Sequence, residues 1–237
     1  MNLPNWLTVG RILFTPLLVW LPLQADPGYR LAAFVLFLLV AVTDYYDGVL
    51  ARTMGMVTDL GKMLDPLADK LLLLGTFVPM FYLQAPESDP LLRWLTQYVP
   101  PRDVMAHYPF VLALPNTTWT LPFPWWVAFI VLGRELAMTV MRQMAARRGV
   151  VIAAIGSAKL KTIFQLIWIG AAFFWFFVAT ADAADTRDRF GWDFFSVFTG
   201  AVGAISMIAS VALTIYSMAV YVLRFGHVFT AKASPGR

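Results

Sequence analysis

The run Asp44-Tyr45-Tyr46-Asp47-Gly48-Val49-Leu50-Ala51-Arg52, followed eight residues later by Gly61-Lys62-Met63-Leu64-Asp65-Pro66-Leu67-Ala68-Asp69, decides how the rest of the chain is read. It sets four carboxylates in the most apolar part of the sequence. A carboxylate at membrane depth costs about 2.5–3.5 kcal/mol even on insertion scales, so four together need a compensating partner. The spacing provides one. Asp44 and Asp47 are three apart and Asp65 and Asp69 four apart, and either spacing puts a pair on one face of a helix. The linker from Thr53 to Lys62 is short enough to make the two helices antiparallel neighbours whose acidic faces converge. Four hard oxygen donors suit Mg2+ or Mn2+, and several shared carboxylates point to two ions.

Around this run the chain is overwhelmingly apolar. Of its 237 residues, 59% are hydrophobic and 14% charged, and the mean hydropathy is +0.68. Those values exclude a soluble globular domain and predict an all-α, polytopic membrane protein. Apolar stretches fall at 12–24, 31–50, 63–84, 124–145, 151–180 and 194–224. Each is near the ~20 residues that span a hydrocarbon core, which predicts six transmembrane helices in one domain over 1–237. Continuous apolar runs exclude an outer-membrane barrel. Residues 1–11 mix polar and apolar side chains and read as a short interfacial helix with Pro4 in its first turn. Residues 85–122, rich in Pro, Trp and Tyr and without a clear period, read as an external loop resting partly on the membrane through its aromatics. There is no cysteine, so thiol and disulfide chemistry are excluded.

Lys and Arg orient the chain. With a cytoplasmic N-terminus, 13 of the 18 basic residues fall on the cytoplasmic side, and the acidic run faces the cytoplasm with them. The net charge of +4 is small and gives no reason to expect a nucleic-acid partner.

A second polar constellation comprises Gly133-Arg134-Glu135-Leu136, Met141-Arg142 and Ala158-Lys159-Leu160-Lys161-Thr162, with Gln165. Arg134 and Arg142 are eight apart, near one helix face two turns on, and Lys159 and Lys161 open the next helix across a short turn. Arg suits bidentate phosphate binding and Lys adds point charge, so the block points to a ligand that carries a phosphate. The plainer alternative is that these cations are positive-inside anchors, the better reading for Arg147 and Arg148 in the turn. Gly48 and Ala51, small and beside the acids, fit either helix packing or close approach of a ligand. His107 and His227 are isolated and carry no site.

The pattern D-x2-D-G-x2-A-R-x8-G-x3-D-x3-D, met here by Asp44, Asp47, Gly48, Ala51, Arg52, Gly61, Asp65 and Asp69, resembles the defining motif of the CDP-alcohol phosphatidyltransferase family. The resemblance implies a six-helix membrane enzyme, usually a homodimer, that displaces CMP from a CDP-linked lipid with the hydroxyl of a second alcohol. It implies that Asp44, Asp47, Asp65 and Asp69 ligate Mg2+ or Mn2+ and that Asp69 is also the general base. Thr8, Gly48, Ala51, Arg52 and Gly61 would contact the CDP-lipid. The block from Arg134 to Thr162, with Pro4-Asn5-x2-Thr8-x2-Arg11 and Thr214-x2-Ser217-x3-Tyr221, is similar to the branch that uses glycerol 3-phosphate. Arg134, Arg142, Lys159 and Lys161 would then bind the acceptor phosphate, CDP-diacylglycerol would be the donor, and the site would face the cytoplasm from a bacterial inner membrane. Ala158 departs from that branch, which has glycine before the lysine, and the 85–122 loop is long for it.

Other readings are compatible with parts of the sequence. Cardiolipin synthases and inositol-phosphate-using synthases share the acidic motif. A membrane prenyltransferase also holds Mg2+ and diphosphate on aspartates, but its acidic motifs are far apart in sequence, whereas Asp47 and Asp65 are 18 residues apart. A divalent-cation transporter would need acids near mid-membrane on broken helices.

Overall fold

The computed structural model describes residues 3–53, 58–84, 89–98, 111–114, 117–150, 156–185 and 192–230. Its frame is helical: α1 (Leu3–Trp20), α2 (Pro27–Thr53), α3 (Asp59–Tyr82), a short α4 (Pro90–Leu95), α5 (Trp125–Arg147), α6 (Gly156–Asp185) and α7 (Trp192–Thr230). The expected helical class therefore holds, with one addition in the region read as an external loop. Besides α4, that region contains a small antiparallel hairpin of β1 (Val111–Leu114) and β2 (Thr117–Thr120), in which Val111 pairs with Thr120 and Leu114 with Thr117. Among the described residues, three segments are apolar and long enough to cross a membrane: Pro27–Asp44, Lys159–Ala181 and Val197–Phe225.

The separate interfacial helix expected over 1–11 is not what forms. Residues 3–20 make one continuous helix, α1, with Pro16 inside it. The buried residues of α1 are Asn5, Thr8, Arg11, Thr15 and Leu18, at intervals of three and four, so they form one stripe. Trp6, Leu13, Phe14 and Leu17 point outward. A helix lying on a membrane presents its polar face to water. Here the polar face is turned into the protein and the apolar face outward.

α1 packs on α3 and α2, α2 on α6, α5 on α7, and α6 along α7. Two glycines of α3 let α1 approach. A Cβ at Gly75 would stand 2.6 Å from Thr15 Cγ2, and one at Gly61 would stand 2.9 Å from Asn5 Oδ1. In the core, the rings of Phe77 (α3), Phe123 and Trp168 (α6) meet pairwise with centroids 5.1–5.2 Å apart, within the range of favourable aromatic packing.

Several of the polar groups that this packing buries are paired. Gln84, just past α3, donates to Phe123 O at 2.8 Å and accepts from Phe123 N at 2.5 Å. Asp89 caps α4 through Leu91 N and accepts from Trp125 N, the first residue of α5, at 2.9 Å. These side chains tie the N-terminal end of the 85–122 segment to the residues that open α5. Buried Arg30 donates to Pro22 O and Gln24 O, each at 3.0 Å, and to Thr180, tying the α1–α2 turn to α6.

Candidate active site

The inward stripe of α1 meets the acidic faces of α2 and α3. Thr8 Oγ1 donates to Asp65 Oδ1 at 2.8 Å. One turn on, Arg11 Nη1 donates to Asp69 Oδ1 at 3.0 Å and to Asp44 Oδ1. Three of the four motif aspartates are thus gathered by a third helix that the motif does not include. Asp44 and Asp65 also lie within electrostatic reach of each other. The backbone of Asp47, Gly48, Ala51 and Arg52 belongs to α2, but their side chains lie outside the described residues, so their proposed contacts do too.

Why α3 starts where it does follows from local chemistry. Thr58 is its N-cap, accepting from Gly61 N at 3.0 Å, and it donates to Asn5 Oδ1 at 3.0 Å. The cap therefore fixes both the first turn of α3 and its contact with α1. Gly61, expected at the ligand, sits buried under Asn5, where a side chain has no room.

Whether a divalent ion suits this place is a question of donor chemistry. The carboxylates are hard oxygen ligands, and two of them already converge on one cationic nitrogen. In kind the donors fit. Among the described residues, however, no three acidic or histidine side chains close on a single ion-sized point; Asp44 and Asp69 meet instead at the Arg11 guanidinium.

A second polar knot joins α5, α6 and α7. Glu135 accepts from Arg134 Nη1 at 3.0 Å and from Lys161. Arg134 Nη2 donates to Ser217 Oγ at 3.1 Å, and its guanidinium lies 5.9 Å from the centroid of the Tyr221 ring. Arg134 and Lys161 are both buried, so the anchor reading fails for them: a snorkelling cation keeps its head in water. Arg142 and Lys159, grouped with them on sequence grounds, are exposed. The structure thus divides the four cations into an inner pair and an outer pair. The two knots are within electrostatic reach of each other, through Asp69 and Lys161, and α3 packs on α5.

Sequence reasoning left Arg11 and Glu135 out of the site. The stripe Asn5, Thr8, Arg11 and Thr15 was a readable signal for Arg11, because polar residues at helical spacing in an apolar helix must face something polar. For Glu135 the signal was the only acid within a block of cations.

The sequence profile of the CDP-alcohol phosphatidyltransferases matches residues 1–231, which takes in both knots. The chain belongs to the CDP-alcohol phosphatidyltransferase family. Similar proteins include a probable phosphatidylglycerophosphate synthase of Mycobacterium tuberculosis, 32% identical over 71% of this chain and 64% of that protein. A CDP-diacylglycerol–glycerol-3-phosphate 3-phosphatidyltransferase of Bacillus subtilis is 30% identical over 72% of this chain and 75% of its own length. A CMP-forming cardiolipin synthase of Oryza sativa is 33% identical over 62% of this chain and 36% of that protein. The chain thus spans just under two thirds of the mycobacterial relative's length.

Proposed function

We propose that this family member transfers the phosphatidyl group of CDP-diacylglycerol to glycerol 3-phosphate, giving phosphatidylglycerophosphate and CMP. The observation that carries the reading is the adjacency of the two knots, acids gathered beside a buried pair of cations. Arg134 and Lys161 share the single anion Glu135, which leaves one net positive charge to meet an acceptor phosphate. Asp44, Asp47, Asp65 and Asp69 would hold Mg2+ or Mn2+, one ion or two, and the metal would supply positive charge for the diphosphate and the departing CMP. Asp69, whose charge reaches Lys161, takes the proton of the acceptor hydroxyl as that oxygen bonds to the phosphatidyl phosphorus. The bond from that phosphorus to CMP breaks, and its electron pair leaves with CMP.

An apolar cavity of about 440 Å³ supports a lipid donor. It lies between α2, α6 and α7, with Phe37, Ala41, Gly170, Phe174 and Val202 among its walls. Ala41 is one helical turn before Asp44, so the cavity offers acyl chains a place that leads to the acidic cluster. The cytoplasm-facing site in a bacterial inner membrane rests on the Lys and Arg bias. On the opposite side, α4 and the turn after it expose the apolar side chains of Leu91, Trp94 and Tyr98 together with the polar ones of Arg93 and Gln97, as suits a segment at a membrane boundary. The homodimer is proposed on family resemblance, with the exposed apolar ridges of α2, α5 and α7 as surfaces for it.

The test is release of CMP from labelled CDP-diacylglycerol by purified protein, with glycerol 3-phosphate, phosphatidylglycerol or inositol 1-phosphate as acceptor. Glycerol 3-phosphate should give the fastest turnover, EDTA should abolish it and Mg2+ or Mn2+ should restore it. Faster turnover with phosphatidylglycerol would select the cardiolipin synthase reading, which the rice relative favours. Asp69→Asn should keep the fold and lower turnover by a factor of about 10²–10⁴, the usual contribution of a positioned base. Unchanged turnover would remove Asp69 from that role.

A further inference from the structure

Arg11 is a positive charge already set at the focus of the acids. Its side chain is 2% exposed, whereas those of Asp44 and Asp69 are 43% and 59% exposed. The guanidinium therefore lies beneath the two carboxylates, which face outward above it. The Oδ1 of each accepts from the same nitrogen, Nη1, and Asp65 Oδ1 accepts from the Thr8 hydroxyl on the preceding turn. α1 is held in place by the close contacts of Asn5 over Gly61 and Thr15 over Gly75, so this charge is built into the packing. A fixed cation a few ångströms from a ligand oxygen repels any second cation bound there. A diphosphate brought to the same place attracts both.

We propose that Arg11 is a resident cation that makes divalent-metal loading conditional on the nucleotide diphosphate. The inference rests on the metal-dependent reading above. Partly neutralised by Arg11, the aspartates hold a dication weakly on their own. When the diphosphate is present its negative charge offsets the guanidinium, and metal and nucleotide are held together. By reciprocity, the factor by which CDP tightens metal binding is the factor by which metal tightens CDP binding. The site then gains its full positive charge only around a lipid that bears a nucleotide.

Mn2+ titrations of the purified full chain, followed by electron paramagnetic resonance with and without CDP, test this directly. For the unaltered protein, CDP should tighten Mn2+ binding at least tenfold. Arg11→Gln should bind Mn2+ without CDP at least tenfold tighter than the unaltered protein, and CDP should add less. Arg11→Met repeats the neutralisation with a side chain suited to an apolar wall, should the glutamine variant fail to fold. Arg11→Lys, which keeps the charge, should retain the dependence on CDP. The proposal is overturned if CDP leaves Mn2+ affinity of the unaltered protein unchanged. It is also overturned if the neutral variants bind Mn2+ no tighter, the result expected of an arginine that only braces the helices. Absence of Mn2+ binding by the unaltered protein under both conditions would remove the metal-dependent reading itself, and this inference with it.

Discussion

At the scale of single residues, the inner and outer cations should behave differently although sequence groups them together. Arg134 is buried among Glu135, Ser217 and Tyr221, so its charge acts at short range and with little screening. Hydrogen bonds to charged groups are worth about 1.5–3 kcal/mol. Arg134→Ala should therefore raise KM for the phosphorylated acceptor by about ten- to a hundredfold. Arg142 is exposed, where ion pairs contribute about 0–1 kcal/mol, and Arg142→Ala should change KM less than about fivefold. Steady-state kinetics with acceptor varied at saturating CDP-lipid decides it, and equal effects would place the acceptor outside the buried knot. The aspartates were legible because four acids at helical spacing in an apolar run have few physical explanations. The partition of the cations was not, because burial depends on which helix covers each residue. Nor does a lone arginine in the first helix announce that it will bridge residues 33 and 58 positions away.

At the scale of elements, the six apolar stretches overlap the six long helices in order, and the boundary errors have a physical source. Residues 2–11 look amphipathic, and amphipathicity alone does not say which face meets protein. Only the partner does, and α3 supplies it through Gly75 and Gly61. That contact is open to test. Gly75→Ala would put a Cβ 2.6 Å from Thr15 Cγ2, and overpacking of this kind costs about 1–3 kcal/mol. The variant should melt lower in detergent, and Thr15→Ser should restore much of the loss. Serine removes Cγ2 yet keeps a hydroxyl able to donate to Arg11 O, as Thr15 does at 2.8 Å. Gly10→Ala, on the same helix with nothing within 4 Å of the added carbon, should leave the melting temperature equal or higher. If Gly75→Ala is as well tolerated as Gly10→Ala, α1 does not pack as described. The hairpin and α4 were hidden for a different reason. Their sequence has no period, and they are held by contacts distant in the chain: α4 through its cap Asp89, which reaches Trp125, and the hairpin by packing of β1 on α7.

Taken whole, the molecule divides its chemistry between two sets of helices. α1, α2 and α3 carry the acidic knot and α5, α6 and α7 the basic one, with α2 on α6 and α3 on α5 bringing the sets together. This division explains why hydropathy picks out only α2, α6 and α7. α1, α3 and α5 have 18, 24 and 23 residues, enough to span a hydrocarbon core. Their mean hydropathy is lowered by the polar residues that build the site, Thr8 and Arg11, Asp65 and Asp69, Arg134 and Glu135. If all six cross, Thr53 and Gln143 lie on one side of the membrane and Gln97 on the other. If only the three apolar helices cross, the segment between α2 and α6 stays on one side and all three positions lie together. The chain has no cysteine, so Thr53→Cys, Gln97→Cys and Gln143→Cys each place a unique thiol at an exposed position. A membrane-impermeant maleimide applied to intact cells should label the cysteine at 97 and reach those at 53 and 143 only after permeabilisation. Identical labelling at all three would mean that α3 and α5 do not span, and that the two knots meet at the membrane surface.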